Sequence, residues 1–168
     1  MAIVFTVTSV LIGWMGCIGY SELSTRHSAL STPNLTQEAA VRIDAQLEAE
    51  AMKVLDDYMS AWNRKDLAAW ERTFHFPHYR LASGRMNVLD RPGQQDASRV
   101  WAAVGSDWHH SKWDRRRMIH ASGDKVHVDT KFTRYRADGS KIGSFESLYI
   151  LTREEGRWGV KLRSSYAQ

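Results

Sequence analysis

Cysteine is nearly absent from the 168-residue chain, which holds Cys17 alone. One thiol makes no internal disulfide and no cysteine-built metal site. Proline is scarce as well, and each of the three marks a break: Pro33 in a polar stretch, Pro77 after a helix, and Pro92 before Gly93. There is no glycine-rich phosphate loop, P-loop or dinucleotide fingerprint. Charge is missing altogether between Ala2 and Ser21. Elsewhere it is mildly basic, with 23 Lys and Arg against 19 Asp and Glu, a net charge of +4 and a pI near 9.3. The only basic run, "KWDRRRM", splits on a strand, with Arg115 and Arg117 on one side and Arg116 on the other. That is too narrow for the broad basic stripe that nucleic acid requires, so no nucleic-acid partner is expected.

What is present suits one folded domain behind an N-terminal extension. Apolar residues make up 43% and charged residues 25%, an ordinary soluble balance. Seven tryptophans and six tyrosines supply either a core or an aromatic-lined pocket. The uncharged run at 2–21 is long enough to cross a bilayer as a helix, and is read as a membrane tether. If the chain instead begins near Leu35, that tether is lost and the domain is cytoplasmic. Residues 1–35 are thus an apolar segment and polar linker, and 36–168 the folded domain.

Thr36 reads as an N-cap. Behind it Ala40, Ile43, Leu47, Ala51, Leu55, Tyr58 and Trp62 form one helical stripe. "NRKD" ends that helix, with Asp66 capping a short second one from Leu67 to about Arg72. Pro77 turns the chain extended. "HYRLAS" and "RMNVLDR" read as a hairpin around Ser83-Gly84, and Pro92-Gly93 opens a third helix through "QQDASRVWAAV". Four strands follow, at 113–122, 125–136, 142–152 and 158–165, separated by Ser122-Gly123-Asp124, Ala137-Asp138-Gly139 and Glu155-Gly156. Helices ahead of an antiparallel sheet predict an α+β domain. In "FESLYIL" both faces are apolar, which predicts that both are covered, one by helices and the other by a second copy in a homodimer.

"YMSAWNRKDLAAWERTF", from Tyr58 to Phe74, resembles the first two helices of nuclear transport factor 2-like proteins. "REEGRWGVKLRSS" is similar to their final hairpin. The resemblance spans roughly Thr36 to the C-terminus and implies a curved antiparallel sheet wrapped on about three helices, a cone-shaped, cystatin-like architecture with a pocket at its wide end. The superfamily includes ketosteroid isomerase, SnoaL-like cyclases and binding modules without chemistry. Ketosteroid isomerase uses an aspartate base with a tyrosine and a protonated aspartate as donors. Tyr58 falls where the resemblance implies the oxyanion tyrosine. The base position falls near Ala82, where there is no carboxylate, so the isomerase mechanism does not carry over.

The remaining candidates come from the strand patterns. His75 and His78 are three apart and His109-His110 adjacent, which is poor spacing for a metal, and neither a metal nor a cofactor is expected. His78 shares a strand face with Arg80, with Tyr79 on the other; turned into the pocket it is the general acid/base candidate, and otherwise it is an inert, hydrogen-bonded histidine at the rim. Asp129 and His120 lie on neighbouring strands as a second acid/base pair, or on a solvated face. Glu146 stands beside Leu148 and Ile150 and needs a partner, for which Arg117 is available. Trp62, Tyr79, Trp101, His120 and Glu146 are the expected ligand contacts, and Tyr58, His78 and Asp129 the catalytic set. The expected partner is a small apolar or aromatic molecule. The alternative is a non-catalytic interaction or dimerisation module of the same fold.

Overall fold

The computed structural model describes residues 35–167, with side chains from residue 45 onward. The apolar run at 2–21 and its linker lie outside these residues. Among those described, no helix is long and apolar enough to cross a membrane.

The elements follow the order α1 (Leu35–Asn63), α2 (Leu67–Glu71), β1 (Phe74–Ala82), β2 (Arg85–Leu89), α3 (Ala97–Val104), β3 (His110–Ser122), β4 (Lys125–Tyr135), β5 (Lys141–Glu154) and β6 (Arg157–Ser165). Helix α1 lays its apolar stripe on the sheet: Leu47, Ala51, Leu55 and Tyr58 are all buried. Burying a side chain such as Leu55 contributes roughly 1.5–3 kcal/mol. Thr36 lies inside α1, one residue past its start, rather than capping it. At its far end Asn63 acts as a surrogate backbone for β3. It donates to the Ser111 carbonyl at 2.9 Å and accepts from the Ser111 amide at 2.8 Å. Asp66 caps α2 as expected, accepting from the Ala69 amide at 2.9 Å. Helix α3 starts at Ala97, later than Pro92-Gly93 suggested, because Asp96 is its N-cap and takes the Ser98 and Arg99 amides.

Six strands form one curved, unclosed sheet in the order β2-β1-β6-β5-β4-β3. The expectation of a wholly antiparallel sheet is corrected at one seam: β1 runs parallel to β6. The chain covers the span between them with β2, α3 and the β3–β5 meander, so the first and last strands meet side by side. Every other pairing is antiparallel. The β1–β2 and β5–β6 turns hold Ser83-Gly84 and Glu155-Gly156 at positive φ, which matches the twist of tight hairpins. Pro77 sits inside β1, preceded by a cis peptide bond, and does not precede the strand. A proline is tolerated there because the β1–β6 register shifts between Phe74 and Tyr79, leaving no ladder position that needs its missing N–H.

The inner face carries Val126, Val128, Thr130 and Phe132 of β4 with Ser147, Tyr149 and Leu151 of β5, all buried. On the outer face Leu148 and Ile150 are half-buried beside charged residues. At the β1–β6 seam His75 is buried and held at both ring nitrogens. Its Nε2–H donates to the Arg157 carbonyl at 3.0 Å, and Nδ1 accepts from Arg157 Nη2 at 3.1 Å. A methyl on Gly159 would come within 2.7 Å of this ring. Gly159→Ala should therefore lower stability by about 1–3 kcal/mol, read from the urea midpoint at unchanged slope. An unchanged midpoint would mean that the ring yields without loss of its hydrogen bonds.

Candidate functional site

Between α3, the β1–β2 hairpin and the inner face of the sheet lies a cavity of about 540 Å³. Alternation along β1 turns His78 and Arg80 into it and Tyr79 to the other side. His78 is 2% exposed and stacks on Phe74, with ring centroids 3.9 Å apart and planes 9° from parallel. Its Nδ1 lies 3.0 Å from the Val160 carbonyl. A carbonyl only accepts, so Nδ1 carries the proton and Nε2 is the acceptor. Burial holds the imidazole down to a pKa of about 4, outweighing the Val160 hydrogen bond, with Arg163, Arg80 and Lys161 pushing the same way as burial. At neutral pH His78 is uncharged.

Tyr58 stands one layer behind the cavity wall. Its hydroxyl accepts from Arg163 Nη1, and Arg163 itself lines the cavity. Burial pushes the Tyr58 hydroxyl well above its ordinary pKa, against the pull of Arg163. Tyr149 is the second phenol at the same guanidinium, 3.5 Å from Nη1. The Arg163 guanidinium lies over the rings of Tyr58, Trp70 and Tyr149, at 5.8, 5.9 and 5.9 Å from their centroids. Such contacts hold a buried cation in place.

Trp62 and Trp101 belong to a tryptophan cluster. Trp62 lies 4.7 Å from Trp70 and 4.9 Å from Trp101, and Trp101 stacks on Trp108 at 6.1 Å. Of this cluster Trp70 reaches the cavity wall. The structure separates the other candidates from this site. Asp129 and Glu146 lie on the outer face, bridged by Arg115 at 3.0 Å and 2.6 Å. Lys131 is 3.5 Å from Glu146, while Arg117 sits nearer Asp129, at 3.6 Å. The Arg115 hydrogen bonds hold Asp129 below the usual carboxylate range. His120 is exposed and faces His127 at 5.8 Å on the same side. The alternation that left these residues either in the site or on a solvated face resolves to the solvated face. Among the described residues no group of three His, Cys, Asp or Glu could hold a metal.

Sequence reasoning missed Arg134 of β4 and Arg163 of β6, both in the cavity wall. For Arg163 the signal is hidden by a bulge. Leu151 pairs with Val160 and Ile150 with Leu162, so Lys161 is an extra residue. Simple alternation would set Arg163 opposite Val160. The bulge turns it inward, across from Tyr149.

The fold recurs in solved structures. An NTF2-like protein with a cystatin-like fold from Novosphingobium aromaticivorans matches with a TM-score of 0.60 at 13% identity, covering 81% of this chain and 91% of that one. A cystatin-like-fold protein of unknown function from Nostoc punctiforme matches at 0.60 and 11% identity, over 72% of this chain and 90% of that one. A ketosteroid isomerase-like protein from Erwinia carotovora atroseptica matches at 0.54 and 19% identity, over 70% and 93%. Likeness at these identities is likeness of fold. No curated protein matches the sequence significantly. The family described as NTF2-like protein (DUF6841) matches residues 48–165, which include both α1 from Glu48 and the whole sheet. The chain belongs to this NTF2-like family, DUF6841.

Proposed function

We propose that this chain is a small-molecule-binding domain whose ligand lies in the cavity between α3, the β1–β2 hairpin and the inner face of the sheet. The cavity carries the reading. Its volume of about 540 Å³ falls in the range of small-molecule sites. Trp70, Met86, Val88, Leu89, Val100 and Val104 supply an apolar side that suits an aromatic or alicyclic body. Binding is favoured over isomerase-type chemistry by the protonation states. The one carboxylate in the wall, Asp96, is engaged in capping α3, and His78 is neutral and too weakly basic to take a proton readily near pH 7.

The test is the fluorescence of aminoanthracene, a neutral aromatic probe, titrated with the full-length protein. Saturable enhancement is expected, and Val100→Trp, which extends an indole into the cavity, should weaken it about tenfold or more, equivalent to about 1.4 kcal/mol. No saturable signal, or one that Val100→Trp leaves unchanged in a folded protein, removes the cavity as the site. Association of two copies through the outer face is a separate proposal. It rests on half-buried Leu148 and Ile150 lying beside the charged ladder, and a monomer in sedimentation equilibrium would remove it.

A further inference from the structure

We infer that the ligand of this cavity carries an anionic group, a carboxylate or a similarly compact oxyanion, received by Arg80, Arg134 and Arg163. The inference rests on the reading of the cavity as a ligand site and says which chemistry the site selects.

Three strands bring these arginines together. Arg80 of β1 is the register partner of Arg163 across the parallel seam, and Arg134 of β4 reaches the same wall. With Arg99 of α3 the wall holds four guanidinium groups against the single carboxylate of Asp96. None of Arg80, Arg134 and Arg163 takes part in an ion pair among the described residues. Arginine does not deprotonate in proteins, so the three charges persist. Gathering like charges at partly buried positions is costly unless a counter-charge joins them. Burial weighs first against the charged forms of Arg80 and Arg134, and the neighbouring Arg163 adds to it in both.

The hydrogen-bond pattern points the same way. Among the described residues, the buried side-chain polar atoms left without a partner are Arg80 Nε, Arg134 Nε, Arg163 Nε and Trp70 Nε1. The three arginine Nε groups belong to this wall, whereas the Trp70 indole N–H lies toward the Tyr58 hydroxyl behind it. Unpaired buried donors are costly, and three of them on adjoining guanidinium groups leave this wall short of acceptors. An oxyanion supplies several lone pairs and matches the planar guanidinium fork. The arginines are also held in advance. Arg163 Nη1 is tied to Tyr58 and Tyr149, Arg80 Nη2 donates to the Ala167 carbonyl at 3.1 Å, and Arg134 lies over Phe145 at 5.1 Å. Donors fixed before binding favour affinity, because less side-chain freedom is lost on association.

The experiment is calorimetric titration of the full-length protein with naphthalene carboxylate and with its uncharged isostere, naphthalene carboxamide, at low ionic strength. The acid is expected to bind about tenfold more tightly than the amide, as a charge-assisted contact should. Arg134→Gln and Arg80→Gln should each reduce the ratio of acid to amide affinity about threefold or more, whatever either does to amide binding itself. Equal affinity for acid and amide overturns the inference and leaves the cavity reading standing. An acid preference that persists in both variants also overturns it, since the anion then binds elsewhere. If both naphthalenes and neutral aminoanthracene fail to bind, the cavity reading falls and the inference falls with it.

Discussion

Phe74→Ala is expected to lower stability by about 3–5 kcal/mol and to raise the pKa of His78 back toward its ordinary value. Both effects follow from where the ring sits. Phe74 is 1% exposed, packs edge-on against Trp70 at 4.6 Å and lies 6.0 Å from Tyr58. Its other face carries the His78 imidazole at 3.9 Å. Removing it deletes a large transfer contribution and leaves a gap that Trp70, Tyr58 and Phe76 cannot fill without leaving their own contacts. The same gap admits water to His78, and burial is the largest cause of its depressed pKa. Urea unfolding gives the first quantity and histidine proton NMR the second. A loss below about 1 kcal/mol, with the His78 pKa unmoved, would show that the wall closes over the gap and that Phe74 does not set the environment of the imidazole.

The second large effect is loss of stability in mild acid. The His78 pKa is about 4 in the folded chain against an ordinary 6.5. A histidine with a depressed folded pKa takes its proton more readily in the unfolded state. Its contribution to stability is therefore complete above pH 6.5 and is lost as the pH falls toward 4. The full shift corresponds to about 3 kcal/mol. His75, also depressed first by burial, acts in the same direction. His78→Asn keeps a donor for the Val160 carbonyl and cannot titrate in this range. Its stability should fall less steeply than the wild type's between these pH values, and the difference between the two curves isolates His78 from the carboxylates. Parallel curves for wild type and variant would show that His78 is already protonated without penalty in the folded chain, and the neutral-imidazole account would be wrong.

Local patterns carried much of the architecture. The stripe of α1 was readable because Leu47, Ala51, Leu55 and Tyr58 repeat at helical spacing, and their burial follows from that spacing alone. The hairpin turns were readable because a glycine, free to take positive φ, sits between the strands, as at Ser83-Gly84 and Glu155-Gly156. His78 and Arg80 were rightly paired on one face of β1, and Tyr79 on the other, by strict alternation. Alternation failed to find Arg163 because one bulged residue, Lys161, inverts the pattern at the end of β6.

The sequence by itself determined the α+β class, the family and the aromatic supply, because each depends on contacts between residues close in the chain or on composition. Only the tertiary structure decided which polar residues line the cavity. The parallel seam sets Arg80 beside Arg163, two residues 83 positions apart, and sheet curvature brings Arg134 to the same wall. Asp129 and Glu146, as polar as any of these, pair with Arg115 on the opposite face. A charge becomes part of a binding site through what lies across from it in space. That depends on strand order, register and a single bulge, none of which is written in the residue types themselves.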